Sequence, residues 1–350
     1  MMTPRANPFL FGHVKAVAQV EEALSSHQLP GGLLLQGPKG VGKATFAYHL
    51  ARALLEGRQH LEASDPQSPV FARMAAGSHG DLVVAERGLN TAGDKLTRDI
   101  SVASARHIVE FMHQTSLEGG WRVAIIDSVD ELNRQGANTL LKILEEPPQK
   151  ALLILISHMP GRLLPTLRSR CWGVNLQPLG NDEMQVALQT MLPYLTAVER
   201  EAMMTFAEGS LGRAQMLMQL GGQDFMQKAW QALGTIGKGM GRQLYDLIQS
   251  VVAKKGEQED RFEAFAQFLS WWLARAIRQK ATSYQSVTPE ESRMMEGVLR
   301  HYPLSLWVEV WEKSQQLLRE ARPLSFDERQ VLTHVLSLWH RPESVQKENP

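Results

Sequence analysis

The stretch GPKGVGKAT, Gly37 to Thr45, has the glycine and lysine spacing of a loop that cradles nucleotide phosphates. Gly37, Gly40 and Gly42 let backbone N–H groups close on phosphate oxygens, and Lys43 brings a point charge to the terminal phosphates. Such a loop normally places a hydroxyl directly after its lysine to hold magnesium. Here Ala44 stands in that position and the nearest hydroxyl, Thr45, comes one place late. Losing a contact to a charged centre costs about 1.5–3 kcal/mol, a loss that phosphate binding tolerates better than catalysis does.

A second chemical position follows in IIDSVDEL. A hydrolysing ATPase needs an aspartate for magnesium and an adjacent acid to activate water. Asp127 serves the metal, but Ser128 cannot take a proton from water at neutral pH, and a missing general base costs about 10²–10⁴-fold in rate. Asp130 and Glu131 lie on the following loop and are expected to form a solvated helix start. Two independent defects in one site argue against a competent hydrolase.

The elements that must carry these residues alternate in the first half of the chain. GLLLQ (32–36), DLVVAE (81–86), WRVAIID (121–127), ALLILIS (151–157) and CWGVNL (171–176) read as five strands. Helical patterns separate them: one after the glycine-rich loop, one over about 102–113, and NRQGANTLLKILEE. The last has an expected apolar face of Ala137, Leu140, Leu141 and Leu144, and Pro147-Pro148 stop it. QHLEASDPQSPVFARMAAGSHG reads as a loop-rich excursion and RGLNTAGDKLTRDIS as a polar connection. Continuous apolar strands between helices predict a parallel sheet covered on both faces. Ligands of such sheets bind beyond the carboxyl ends of the strands, where Gly37–Lys43, Asp127 and Ser157 fall. A strand-end serine such as Ser157 equally caps a turn.

Beyond about Pro178 the patterns are helical throughout. We expect a core over 1–177, a small helical unit over 178–222 ending near Gly221-Gly222, and a helical bundle over 223–345. Trp271, Trp272, Trp307 and Trp311 lie on these late helices without an interleaved basic run, which favours core or subunit contacts over nucleobase platforms.

Composition narrows the function classes. With 43% hydrophobic and 21% charged residues over 350 positions, the chain is an ordinary globular sequence. Lys+Arg and Asp+Glu both number 37, so no net charge draws it to nucleic acid or membrane. One cysteine, Cys171, leaves no internal disulfide and suits a reducing compartment. MMTPRANPFLFGH lacks the apolar run of a secretory signal, and ALLILI is too short to cross a bilayer, so a cytoplasmic chain is expected.

FGHVKAVAQVEEALSSHQLPGGLLLQGPKGVGKAT, GWRVAIIDSVDELNRQGANTLLKILEEPP and PTLRSRCW together resemble the clamp-loader branch of the AAA+ ATPases. Their order and spacing are most similar to the delta-prime subunit family of bacterial DNA polymerase III. The resemblance runs from about Asn7 to Arg213, with the C-terminal third matching only as a helical region. It implies an α/β fold: an AAA+ P-loop core with a five-stranded parallel sheet, then a helical lid and an all-α collar that joins sister subunits. It also implies that Arg170 of the Ser-Arg-Cys triplet acts in trans as an arginine finger on a neighbouring ATP site, with Arg168 the rival for that role; the plainer alternative is a surface arginine paired with a local carboxylate. By the same resemblance Ser157 senses a terminal phosphate. EGSLGRAQ resembles the lid segment, with Arg213 one place late.

The implied function is a clamp-loader subunit that does little hydrolysis itself and helps load a sliding clamp on primed DNA. Its partners would be gamma/tau-like ATPase subunits and a delta-like subunit, with clamp and DNA met through the complex. No cofactor would be required, ATP and magnesium binding would be weak, and zinc is not expected, because 55–81 holds His60 and His79 but no cysteine. An active motor ATPase using Thr45 is the alternative. A nucleotide kinase fits less well, since the helical C-terminal third offers no acceptor site. Glu145 and Glu146 sit at a helix C-terminus, where the macrodipole disfavours acids. A basic partner is expected for them, in a neighbouring subunit or locally at Lys142.

Overall fold

The computed structural model describes residues 3–61, 64–88, 100–237, 241–252, 261–282, 289–321, 324 and 326–347. The chain divides into two compact units, one comprising Met1–Leu195 with Ala207–Gly212 and the other Thr196–Phe206 with Arg213–Pro350.

The first unit is built on five parallel strands: β1 (Gly32–Gln36), β2 (Leu82–Glu86), β3 (Arg122–Asp127), β4 (Ala151–Ser157) and β5 (Trp172–Asn175). Their order in the sheet is β2-β3-β4-β1-β5. Strand side chains alternate between faces, so a strand covered on both sides must be apolar at every position. Every residue of β4 is buried. Leu33, Leu35, Val123, Ile125, Leu152 and Ile154 face one layer, containing α1 (Val14–Ser25) and α2 (Lys43–Leu55). Leu34, Ala124, Ile126, Leu153 and Leu155 face the other, containing α4 (Val102–His113) and α5 (Arg134–Glu145). The α/β class and the five-stranded parallel sheet expected from the sequence are therefore present.

Two local expectations change. The segment read as a loop-rich excursion contains a helix, α3 (Pro69–Ala76), started by a proline in its first turn and closed by Gly77 at φ 69°. Phe71 and Met74, three apart, bury its inner face, and a span this short hides among the surrounding Pro, Ser and Gly. On α5 the buried residues are Gly136, Ala137, Leu140, Ile143 and Leu144, whereas Leu141 is only partly covered. The stripe thus turns toward Ile143, as a period of 3.6 residues dictates. Asn133 caps that helix by accepting from Gly136 N at 2.8 Å. Most of the polar connection before α4 lies outside the described residues; at its end Ser101 caps α4 by accepting from Ser104 N at 3.0 Å. Two further helices, α6 (Pro165–Arg168) and α7 (Asn181–Met191), complete the unit.

The second unit is helical: most of α8 (Ala197–Ala207) and α9 (Leu211–Leu220), then α10 (Gly222–Leu233), α11 (Arg242–Val252), α12 (Arg261–Thr282), α13 (Pro289–Leu299), α14 (Leu304–Glu320) and α15 (Glu328–His340). Trp272, Trp307 and Trp339 are fully buried there, which makes two of the expected tryptophans core residues. Trp272 stacks on Trp339 at 5.8 Å, and the Trp339 indole donates to Ser314 Oγ at 3.0 Å. Among the described residues no helix is long and apolar enough to cross a membrane.

Candidate functional site

The carboxyl edge of the sheet gathers the chemistry. Register places Gln36 beside Ser157, Asp127 beside Ile156, and Glu86 beside Asp127, so the ends of β1 to β4 finish level. The loop after β1 turns through Gly37 (φ 150°), Gly40 (φ 83°) and Gly42 (φ 105°), conformations that L side chains rarely adopt. A Cβ on Gly37 would also lie 2.2 Å from the Leu176 carbonyl oxygen.

Lys43 opens α2 and is 3% exposed. Its Nζ donates to the carbonyls of Gly37 (2.7 Å) and Pro38 (2.6 Å). Burial pulls its pKa down to about 8, against the opposing pull of the Asp127 and Asp130 carboxylates. The same loop is gripped from outside. Gly212 N donates to Gly40 O at 2.9 Å, and a Cβ on Gly212 would sit 2.6 Å from Gly40 Cα. That approach is a reason for glycine in EGSLGRAQ which its sequence alone did not reveal.

Asp127 ends β3, and burial, with Glu86 adding to it, raises its carboxyl above the usual range despite Lys43 and Lys39. Asp130 corrects the expectation of a solvated helix start. Its Oδ1 accepts from Ser157 Oγ (2.8 Å) and Met159 N (3.3 Å), its Oδ2 from Ser128 Oγ (2.8 Å) and His158 N (2.5 Å). Burial alone would raise this carboxyl; the donors from His158, Ser157 and Ser128 outweigh it and hold it low. Asp130 therefore knots the ends of β3 and β4, because two buried serine hydroxyls and two loop amides need an acceptor there. Glu131 is not free in solvent either, pairing with Arg87 at 3.0 Å.

Ser157 is fully buried with its hydroxyl on Asp130, and Ser128 likewise. Reasoning from sequence missed three neighbours of the loop. His13, at φ 56° before α1, has Nε2 2.8 Å from Val41 O. His158 is held neutral, its pKa lowered to about 4 by burial and then by the charges of Lys43 and Lys39. Glu86 could have been found only by knowing that β2 lies next to β3. As for the group a phosphate loop implies, the glycines and Lys43 fit an anion. Ala44, Ser128 and the saturated Asp130 do not fit a magnesium-assisted hydrolytic centre.

Arg170 lies apart, in the turn between α6 and β5. Its Nε and Nη2 reach Glu145 Oε1 at 2.8 and 2.7 Å, and its Nη1 donates to Thr166 O at 2.9 Å. The unexplained acid at the end of α5 and the triplet arginine are thus each other's partner, and Lys142 is not needed. Arg168 is exposed at the end of α6. Cys171, next to Arg170 in sequence, has its thiol pushed up to about 12 by burial and is no nucleophile. Arg213 stands in the second unit, 6.0 Å over the Trp271 ring.

With this geometry in view, residues 12–180 match the family model described as DNA polymerase III, delta subunit. The DNA polymerase III subunit delta' of Pseudomonas aeruginosa is 39% identical over 138 residues, 39% of this chain and 40% of that protein. The same-named subunit of Escherichia coli is 31% identical over 221 residues, 62% of this chain and 61% of that protein. The matches thus span 40% and 61% of these two relatives' length. Among solved structures, a DNA polymerase III gamma subunit-related protein of Thermotoga maritima is 15% identical with a TM-score of 0.42, covering 94% of this chain and 99% of that one.

Proposed function

Because residues 12–180 belong to the family of DNA polymerase III delta subunits, we propose that the chain works as a delta-prime-type clamp-loader subunit that lends catalysis to a neighbour instead of hydrolysing ATP itself. In this reading its partners are gamma/tau-like ATPase subunits and a delta-like subunit in an open ring. The sliding clamp and primed DNA are met through that ring. No cofactor is required by this chain, ATP binding is weak, and the setting is the cytoplasm.

One observation carries the reading: Asp130, the nearby acid best placed in sequence to replace the missing base, spends both oxygens on four donors of its own fold. A carboxylate so bound, and held at low pKa, is a poor proton acceptor for water. The chemistry that remains is Arg170. A guanidinium is permanently charged and forked, so it can meet charge growing on a transferring phosphoryl group across an interface. The test is ATP turnover by the purified chain alone, then by the assembled complex with Arg170→Ala. Negligible turnover by the lone chain and a loss of DNA-stimulated rate in the complex support the reading. Brisk turnover alone, abolished by Lys43→Ala, overturns it.

A second reading, intrinsic hydrolysis, has one observation in its favour: exposed Glu86 ends β2 in register with Asp127. Glu86→Gln would then abolish any turnover by the isolated chain.

A further inference from the structure

The guanidinium of Arg170 has five N–H groups, of which Nε–H and one on Nη1 are hydrogen-bonded within this chain, with Nη2 in ion-pair contact. Glu145 Oε1 accepts Nε–H at 2.8 Å and lies 2.7 Å from Nη2, along the side edge of the fork. Thr166 O takes one proton of Nη1. N–H groups on both terminal nitrogens are left, enough for a forked contact to a phosphoryl oxygen pair. The backbone beneath is equally tied: Ser169 N donates to Pro165 O at 2.9 Å and Arg170 N to Leu167 O at 3.2 Å. Glu145 itself stands at the end of α5, a position where an acid works against the helix macrodipole and has no local reason to be.

We propose that Glu145 is a positioning residue for Arg170, holding the guanidinium in one rotamer with its outward N–H groups set for the neighbour's nucleotide. The inference rests on the reading of Arg170 as a trans-acting finger. Its physical content is preorganisation: a long side chain ordered before the interface forms loses less freedom when the transition state needs it. Because the pair is exposed, the gain is the size of a surface ion pair, about two- to fivefold in rate.

The experiment is a double-mutant cycle in the reconstituted complex, with Glu145→Gln, Arg170→Ala and both together, reading kcat and KM of the DNA-stimulated ATPase and the thermal midpoint of each free chain. We expect Glu145→Gln to lower kcat about two- to fivefold with KM and midpoint unchanged, and to have no further effect once Arg170 is alanine. Glu145→Asp, which keeps the charge, should recover part of the loss. An unchanged kcat in Glu145→Gln, or an equal loss in the Arg170→Ala background, overturns the positioning role while leaving the finger in place. An unchanged kcat in Arg170→Ala removes the finger and its positioning together.

Discussion

Arg170 and Glu145 meet through two nitrogens and one oxygen, Nε and Nη2 lying 2.8 and 2.7 Å from the same carboxylate oxygen. With side chains 35% and 49% exposed, the pair is worth only about 0–1 kcal/mol to the fold. Arg170→Ala should therefore shift the thermal midpoint of the isolated chain by no more than roughly 4 °C. In the assembled complex the same change should cost about 10³–10⁵-fold at the site it serves. Calorimetry and steady-state ATPase separate the two. A large midpoint drop with unaltered turnover would make Arg170 a structural residue.

Asp130 is the opposite case, a carboxylate whose value lies in the fold. Asp130→Ala strands the buried hydroxyls of Ser128 and Ser157 and the amides of His158 and Met159. At about 1–3 kcal/mol for each donor left unmet, a loss of at least about 2–3 kcal/mol is expected after relaxation. A urea midpoint unmoved by the substitution would contradict the knot.

The same neighbourhood sets an acid limit on stability. His158 titrates near 4 in the fold against 6.5 ordinarily, so between those values the unfolded chain binds the extra proton. Stability must then fall as pH drops from about 6.5 toward 4. Asp130, held below its ordinary value, adds a loss as pH falls through the carboxylate range. His158→Gln should flatten the first part of the curve. A wild-type curve level from pH 6.5 to 4 would count against the buried, neutral imidazole.

Lys43 titrates in the other direction. Its folded value of about 8 lies below the ordinary 10.5, so the unfolded chain holds more protons between them and the fold gains stability as pH rises through that window. Anion affinity moves oppositely, because phosphate needs the charged ammonium. Binding of a nucleoside triphosphate, followed by titration calorimetry, should weaken above pH 8, approaching about tenfold per unit. Lys43→Arg should remove that dependence, since a guanidinium stays charged. Constant affinity from pH 7 to 9.5 in the wild type would refute it.

Gly212 allows a test of the grip on the loop. A methyl group there lies 2.6 Å from Gly40 Cα, a backbone atom that cannot swing aside. Gly212→Ala should destabilise by about 1–3 kcal/mol, as overpacking does, and break the Gly212 N to Gly40 O bond. Faster amide exchange at Gly212, measured by NMR, would report the break directly. A fully stable variant with unaltered exchange would mean that the contact is loose.

Much of this molecule could be read from its residues, because its strands and helices are specified by local periodicity. β1 and β4 fall on the residues whose unbroken apolar runs announce them, and α4 on the span its period predicts. Pro and Gly near the ends of α3 are equally local signals, lost only because eight residues make too short a pattern. The defects at Ala44 and Ser128 are visible as letters, since a missing hydroxyl or carboxylate is a matter of composition at one place.

The roles of Asp130, Glu86, His158 and Glu145 were decided elsewhere. Asp130 meets Ser157 and His158 only because β3 and β4 are neighbours in the sheet, and Glu86 stands by Asp127 only because β2 takes the edge beside β3. Glu145 and Arg170, 25 positions apart, find each other because α5 ends beside the start of β5. Periodicity tells a residue which way to face within its own element. Which stranger it faces is set by how the elements stack, and a carboxylate becomes a base, a knot or an anchor according to the donors that stacking brings within 3 Å.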